Sequence, residues 1–341
     1  MKLKCGIIGL PNVGKSTLFN ALTNSNVNAS NYPFCTIEPN ISIVNIPDKK
    51  LKILSKIVQS KKITPSTIKF VDIAGLIKGA SEGHGLGNKF LNNITEMNAI
   101  IHVVRFFNDE NISHILPNNN PINDINIINS EIIQFDINLC IKLISNVSIK
   151  NNKIINLLNF CLNKLKQNKL LNTINFNTEE FKILNNNKLL TIKPIMIIAN
   201  INENKLHNKL YLNQLELISK KFNTINICAK LAFTKINKLQ NYFLNKILIA
   251  SFNLLNLHTF YTVGIKEVKS WSIIKGTIAL EAAKKIHSDI KRGFIRAKVI
   301  NYDDYIFYKN ENKLKLAGKI RLEGKNYIIK NGDIIHFLFK V

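Results

Sequence analysis

The pattern of hydrophobic and polar positions changes character along the chain. Residues 3–8 (Leu-Lys-Cys-Gly-Ile-Ile) form a short β-prone run that gives way at Gly9 to a loop. From Lys15 onward apolar residues recur at helical spacing through Leu18, Ala21 and Leu22. Further strands are predicted at 41–46, 68–71, 100–104 and 195–199, several of them separated by helical segments. Alternation of this kind predicts an α/β fold built on a mostly parallel sheet with helices on both faces. Between about Asn129 and Leu190 the pattern turns to two long helical stretches. One is striped by Ile128, Ile132, Phe135, Leu139 and Leu143, the other by Ile154, Leu158, Cys161 and Leu165. The polar stretch from Asn146 to Lys153 is a suitable turn between them, so an inserted helical arm is expected, its stripes serving as core. From about Asn256 the chain reads as a small α+β domain, with a helix after Gly276-Thr277 through Ile286. Strands are expected at 293–300 and 334–341, the latter after an Asn331-Gly332 turn.

Composition narrows the classes. With 341 residues, 46% of them hydrophobic, the chain can bury a large core in two or three domains. No run of about 18 uncharged apolar residues is present, which argues against a membrane channel. The opening Met1-Lys2-Leu3-Lys4 has no secretory character. Five cysteines, odd in number and without a CxxC pair, indicate neither a disulfide scaffold nor a zinc site and fit a reducing cytoplasm. A net charge of +25 suggests polyanion partners. Lysine far outnumbers arginine and asparagine and isoleucine are abundant, so roughly half of that excess is ascribed to the codon drift of an AT-rich genome.

The strongest local chemistry is Gly9-Leu-Pro-Asn12-Val13-Gly14-Lys15-Ser16-Thr17, which has P-loop spacing and lies between a predicted strand and a predicted helix. Its glycines allow the amides around Asn12, Val13 and Gly14 to turn inward on phosphate. Lys15 supplies a point charge to the β and γ phosphates, and the Ser16 hydroxyl is a ligand for Mg²⁺. Asp72-Ile-Ala-Gly75 follows the strand ending Phe70-Val71, where an aspartate would hold the magnesium shell and the Gly75 amide would sense the γ phosphate. Thr36, in a loop between them, is either a further Mg²⁺ ligand or an ordinary loop threonine. Asn200-Ile201-Asn-Glu203 closes a strand where a GTPase would carry Asn-Lys-x-Asp, and Cys228-Ala229-Lys230 is a candidate backbone contact to a base.

Taken together, the P-loop, Tyr32-Pro-Phe-Cys-Thr-Ile-Glu-Pro-Asn40, Asp72-Ile-Ala-Gly-Leu-Ile-Lys-Gly-Ala-Ser81, Gly85-Leu-Gly-Asn88, Asn200-x-x-Glu203, Phe294-Ile-Arg-Ala297 and Asn331-Gly-Asp333 resemble the YchF, or Obg-like ATPase, family of P-loop NTPases. The similarity spans nearly the whole chain. It implies an Obg-type G domain at 1–128 and 191–255, a helical arm at 129–190, and a TGS domain, a ubiquitin-like β-grasp module, at 256–341. It also implies a preference for ATP over GTP, binding to the ribosome or its large subunit through rRNA, and Thr36 as a Mg²⁺ ligand. Neither a membrane partner nor DNA specificity is expected. Leu76 stands where Ras-like enzymes carry the glutamine that orients water, and His114 matches the family's proposed catalytic histidine. Asn12 is either a ligand for a monovalent cation such as K⁺, as in related NTPases with asparagine at that place, or a residue that only stabilises the loop. Cys35 is either a redox-sensitive thiol or an inert one. The arm and the stretch between Lys230 and Asn256 are shorter than the family leads one to expect. The expected mechanism is in-line attack of water on the γ phosphate of Mg·ATP, slow because no glutamine assists, with stabilisation from Lys15, Mg²⁺ and the loop amides. A nucleotide-gated adaptor with incidental hydrolysis is the alternative.

Overall fold

A computed structural model describes residues 3–24, 40–73, 86–107, 120–146, 152–201, 209–228 and 237–340. In chain order the elements are β1 (Lys4–Ile8), α1 (Lys15–Asn24), β2 (Ile41–Asn45), α2 (Lys49–Val58), β3 (Ile63–Thr64), β4 (Thr67–Asp72), α3 (Leu86–Thr95) and β5 (Ala99–Phe106). Then come α4 (Pro121–Asn146), α5 (Asn152–Lys166), α6 (Thr178–Asn186), β6 (Ile195–Ile201), α7 (Lys209–Ser219), β7 (Asn223–Ile227) and α8 (Asn237–Leu254). The last part holds β8 (Leu257–Val263), β9 (Val268–Ile274), α9 (Ala279–Ile286), α10 (Ser288–Arg292), β10 (Phe294–Ile300), α11 (Tyr302–Tyr308), α12 (Glu311–Leu316), β11 (Arg321–Glu323) and β12 (Ile334–Phe339). The chain divides into two compact units, one of residues 3–44 and 69–247, the other of 1–2, 45–68 and 248–341.

The first unit carries a six-stranded sheet in the order β2-β4-β1-β5-β6-β7. The pairs β1 with β4, β1 with β5, β5 with β6 and β6 with β7 are all parallel, as the alternating pattern predicts. Every residue of β5 is buried, the mark of a central strand covered on both faces. From β1 the chain runs to β2 and β4 on one side and then crosses to β5 on the other, so the strand order reverses beside β1. The carboxyl ends of these strands therefore open a crevice at the switch in strand order.

Helix α4 begins eight residues before the expected start of the arm, and its buried side differs from the predicted stripe. The core positions are Ile125, Ile128, Ile132, Asp136 and Cys140, while Phe135, Leu139 and Leu143 are half-buried. An aspartate takes a core position because its carboxylate is fully engaged. It accepts from the amides of Leu190 (2.9 Å) and Thr191 (2.7 Å) and from the Thr191 hydroxyl (2.6 Å). Burial nonetheless pushes its pKa up to about 6, against the opposing pull of those bonds and of Lys193. The second stripe is close to expectation, with Leu158, Cys161 and Leu165 buried and Ile154 half-buried. Most of the expected turn between the helices lies outside the described residues.

The second unit is built on another six-stranded sheet, β11-β10-β12-β8-β9-β3. β8 and β9 form an antiparallel hairpin beyond the strands expected from the sequence, β12 runs parallel to β8, and β10 runs antiparallel to β12. On one face, the small residues Ala279, Ala282 and Ala283 of α9 let that helix approach Phe260 and Phe337. Leu51 and Leu54 of α2 pack on the other with Tyr261, Val268 and Ile334. Here the structure corrects the expected boundaries, which gave 45–68 to the G domain. Asp48 caps α2 by accepting from the Leu51 amide (3.0 Å) and also accepts from the Tyr261 hydroxyl (2.9 Å). β3 adds an edge strand by pairing Ile63 with Val268. These partners lie some two hundred residues apart in sequence, so no local pattern announces them. The Asn331-Gly332 turn occurs as expected: Gly332 adopts φ 97°, and the Asn331 side chain accepts from the Thr259 amide (2.9 Å).

Candidate functional site

The loop between β1 and α1 is seated from below. A Cβ on Gly9 would lie 2.7 Å from the Val103 carbonyl oxygen and 2.9 Å from Val13 Cγ2, so only glycine lets the chain leave β1 this close to β5. Asn12 (φ 63°) and Gly14 (φ 93°) are left-handed while Val13 between them is not, an alternation that turns successive amides to one side as an anion-binding concavity. The first turn of α1 carries no acidic residue, which leaves the positive end of the helix available to an anion. Ser16 is exposed and Thr17 half-buried in that turn.

Parallel register brings the second phosphate element alongside. Ile7 of β1 is opposite Asp72, and the Ile73 amide donates to the Ile7 carbonyl (3.1 Å). Asp72 therefore ends β4 beside the loop, where Lys15 Nζ donates to its Oδ1 in an ion pair. The two side chains are only 12% and 15% exposed, so the pair is shielded from screening more than a surface pair would be.

A third strand end braces the loop. Asn200 is 4% exposed and its Nδ2 donates to the Val13 carbonyl oxygen at 2.9 Å. The Asn200 side chain thus holds the phosphate loop from β6, a contact that no local signal discloses. Register continues the row: Arg105 is opposite Asn200, Phe106 opposite Ile201, and Asn200 opposite Ile227, after which comes buried Cys228. Val13, Gly14, Lys15, Asp72 and Asn200 are thus gathered in one place, with Ile201 and Cys228 on the same edge of the sheet. Thr36, Gly75, His114, Glu203, Ala229 and Lys230, with Cys35 and Leu76, lie outside the described residues.

Asn200→Ala tests the brace. Removing the donor leaves a buried carbonyl short of a partner, a cost of about 1–3 kcal/mol. Lower thermal stability and weaker nucleotide binding are expected together, by calorimetry and equilibrium titration. Unchanged affinity would show that the loop holds its shape without β6.

Among the described residues no group of three or more His, Cys, Asp or Glu could hold a metal by itself. Ser16 and Asp72 offer hard oxygen donors, the set that suits Mg²⁺ when substrate phosphates complete its shell.

Comparison with known proteins agrees with this geometry. Residues 4–146 match the family described as 50S ribosome-binding GTPase, and residues 257–340 match the YchF GTPase carboxyl-terminal family, described as a protein of unknown function. The chain is 51% identical over 363 positions to the "Ribosome-binding ATPase YchF" of Buchnera aphidicola subsp. Schizaphis graminum, with all of both chains covered. The chain belongs to the YchF family. The Escherichia coli protein of the same name is 44% identical, again over the whole of both chains. The solved YchF GTPase of Schizosaccharomyces pombe superposes with a TM-score of 0.86 at 32% identity, covering 99% of this chain and 98% of that one. The YchF fold therefore carries the P-loop crevice described above. No described helix is long and apolar enough to cross a membrane.

Proposed function

We propose that this YchF protein is a ribosome-associated, Mg²⁺-dependent ATPase of the cytoplasm that hydrolyses ATP, and GTP less well, to the diphosphate and phosphate. The observation that carries the reading is the gathering of Lys15, Asp72 and Asn200 around a left-handed glycine loop, in a chain whose full-length relatives are named ribosome-binding ATPases. In this reading the loop amides and Lys15 bind the β and γ phosphates. Ser16, Thr36 and Asp72 hold Mg²⁺, which would neutralise charge developing between those phosphates, and Asn12 adds a site for K⁺. Gly75 contacts the γ phosphate and His114 orients or deprotonates the attacking water, while Leu76 offers water no hydrogen bond. The unit holding α4 and α5 is the Obg-type G domain with its helical arm, and the carboxyl-terminal unit is a TGS-type β-grasp module. The arm and the module each contact rRNA.

Base choice tests the nucleotide assignment. Guanine presents two ring-edge donors to the aspartate of Asn-Lys-x-Asp, whereas adenine presents a lone pair there. Glu203 moves the carboxylate by one methylene, and Ile201 replaces a cation with an apolar contact. Cys228, Ala229 and Lys230 supply backbone groups to the base. Each mismatched buried polar contact costs about 1–3 kcal/mol, so ATP should bind roughly tenfold or more tighter than GTP. The double substitution Ile201→Lys with Glu203→Asp should shift the ratio toward GTP in equilibrium titrations. Equal affinities in the unmodified protein refute ATP selectivity, and an unshifted ratio in the double variant refutes these two residues as its source.

A further inference from the structure

Helix α5 buries Leu157, Leu158, Cys161 and Leu165, yet it turns a phenylalanine outward. Phe160 is 44% exposed. Its ring is fixed edge-to-face against Phe176, with centroids 6.4 Å apart and planes at 88°. One turn further on, Lys164 places Nζ 5.2 Å from the centroid of the same ring. Lys153, seven positions before Phe160, falls on the same stripe of the helix, and Lys166 and Lys169 are exposed just beyond. No Asp or Glu occurs between Ile137 and Thr178, so the charged side chains that α5 itself carries around the ring are all lysines. The nearest acid in sequence after it, the Glu179-Glu180 pair, opens α6, where Glu180 accepts from the Asn177 amide in a capping box.

We propose that Phe160 is a stacking platform for one unpaired base of single-stranded RNA, with Lys153 and Lys164 taking the flanking phosphates. The assignment rests on reading the chain as ribosome-associated and names the form of RNA that this face takes. A single ring between lysines gives little of the contiguous apolar area that a protein partner needs, whereas one ring is enough for one base. Duplex RNA buries its base faces and offers such a ring nothing to stack on. Lys164 is suited to both states: it covers the ring in the free protein and can swing to a phosphate as a base takes its place. Base stacking returns more than an exposed cation–π contact gives up.

The test measures binding of the full-length protein to labelled oligouridylate and to an oligoadenylate–oligouridylate duplex of equal length, over a salt series. Wild type should favour the single strand. Phe160→Tyr should keep that preference, and Phe160→Leu, which preserves apolar bulk without a π face, should lose roughly tenfold on the single strand alone with its salt slope unchanged. Lys153→Glu with Lys166→Glu should weaken both RNAs and flatten the slope. Wild-type affinity in Phe160→Leu, equal loss in Phe160→Tyr, or a wild-type preference for duplex overturns the platform. Insensitivity of ribosome and RNA binding to the lysine reversals overturns instead the RNA reading on which it rests.

Discussion

Replacing Lys15 with alanine is expected to lower ATP hydrolysis by about 10²–10³-fold or more, the scale for removing one preorganised donor from developing transition-state charge. Lys15 is the cation that the loop delivers to the crevice, and its side chain is 12% exposed, so water cannot substitute for it cheaply. Binding of ATP should weaken as well, because the β and γ phosphates are charged before the reaction as well as during it. A second consequence is local. Asp72 would keep a carboxylate only 15% exposed and lose its ion-pair partner, so the variant should be somewhat less stable without nucleotide. Single-turnover hydrolysis with thermal denaturation separates the two effects. Near-normal turnover in a folded Lys15→Ala protein would remove Lys15 from the mechanism.

His114→Ala should produce a different signature. A neutral imidazole near pH 7 can orient or deprotonate water, and such a group acts on the transition state more than on bound substrate. Turnover is expected to fall at least about tenfold while ATP affinity stays within about threefold, so the loss appears in kcat. The assignment comes from the match of Asn111-Ile-Ser-His114 to the family's histidine position. Unchanged kcat in the variant would sink it.

The parts of this protein that were legible in the sequence are those whose physics is local. Gly9, Gly14 and Lys15 announce an anion loop because strand, glycine turn and helix follow one another within a few residues. Asp72 is legible for the same reason, as an acid at the end of a strand. Asn200 is legible as a strand-end residue, but its contact with the Val13 carbonyl is not, since that contact bridges 187 positions and depends on strand order. The buried side of α4 departs from its apolar stripe because periodicity cannot show that Asp136 will find three donors at Leu190 and Thr191. Tertiary hydrogen bonding overrode the pattern. Boundaries failed at 45–68 on similar grounds. Leu51 and Leu54 read as one more amphipathic helix, and only the fold reveals that their partners are Tyr261, Val268 and Ile334.

Hydrolysis of ATP by the crevice in the service of ribosome binding is tested most directly by one measurement. Single-turnover hydrolysis of ATP by the full-length protein should be followed with and without purified ribosomes, with GTP in parallel. The expected result is a slow intrinsic rate that rises when ribosomes are added, faster with ATP than with GTP. An ATP rate indifferent to ribosomes, in a protein that still binds them, would contradict it and identify a nucleotide-gated adaptor whose hydrolysis is incidental.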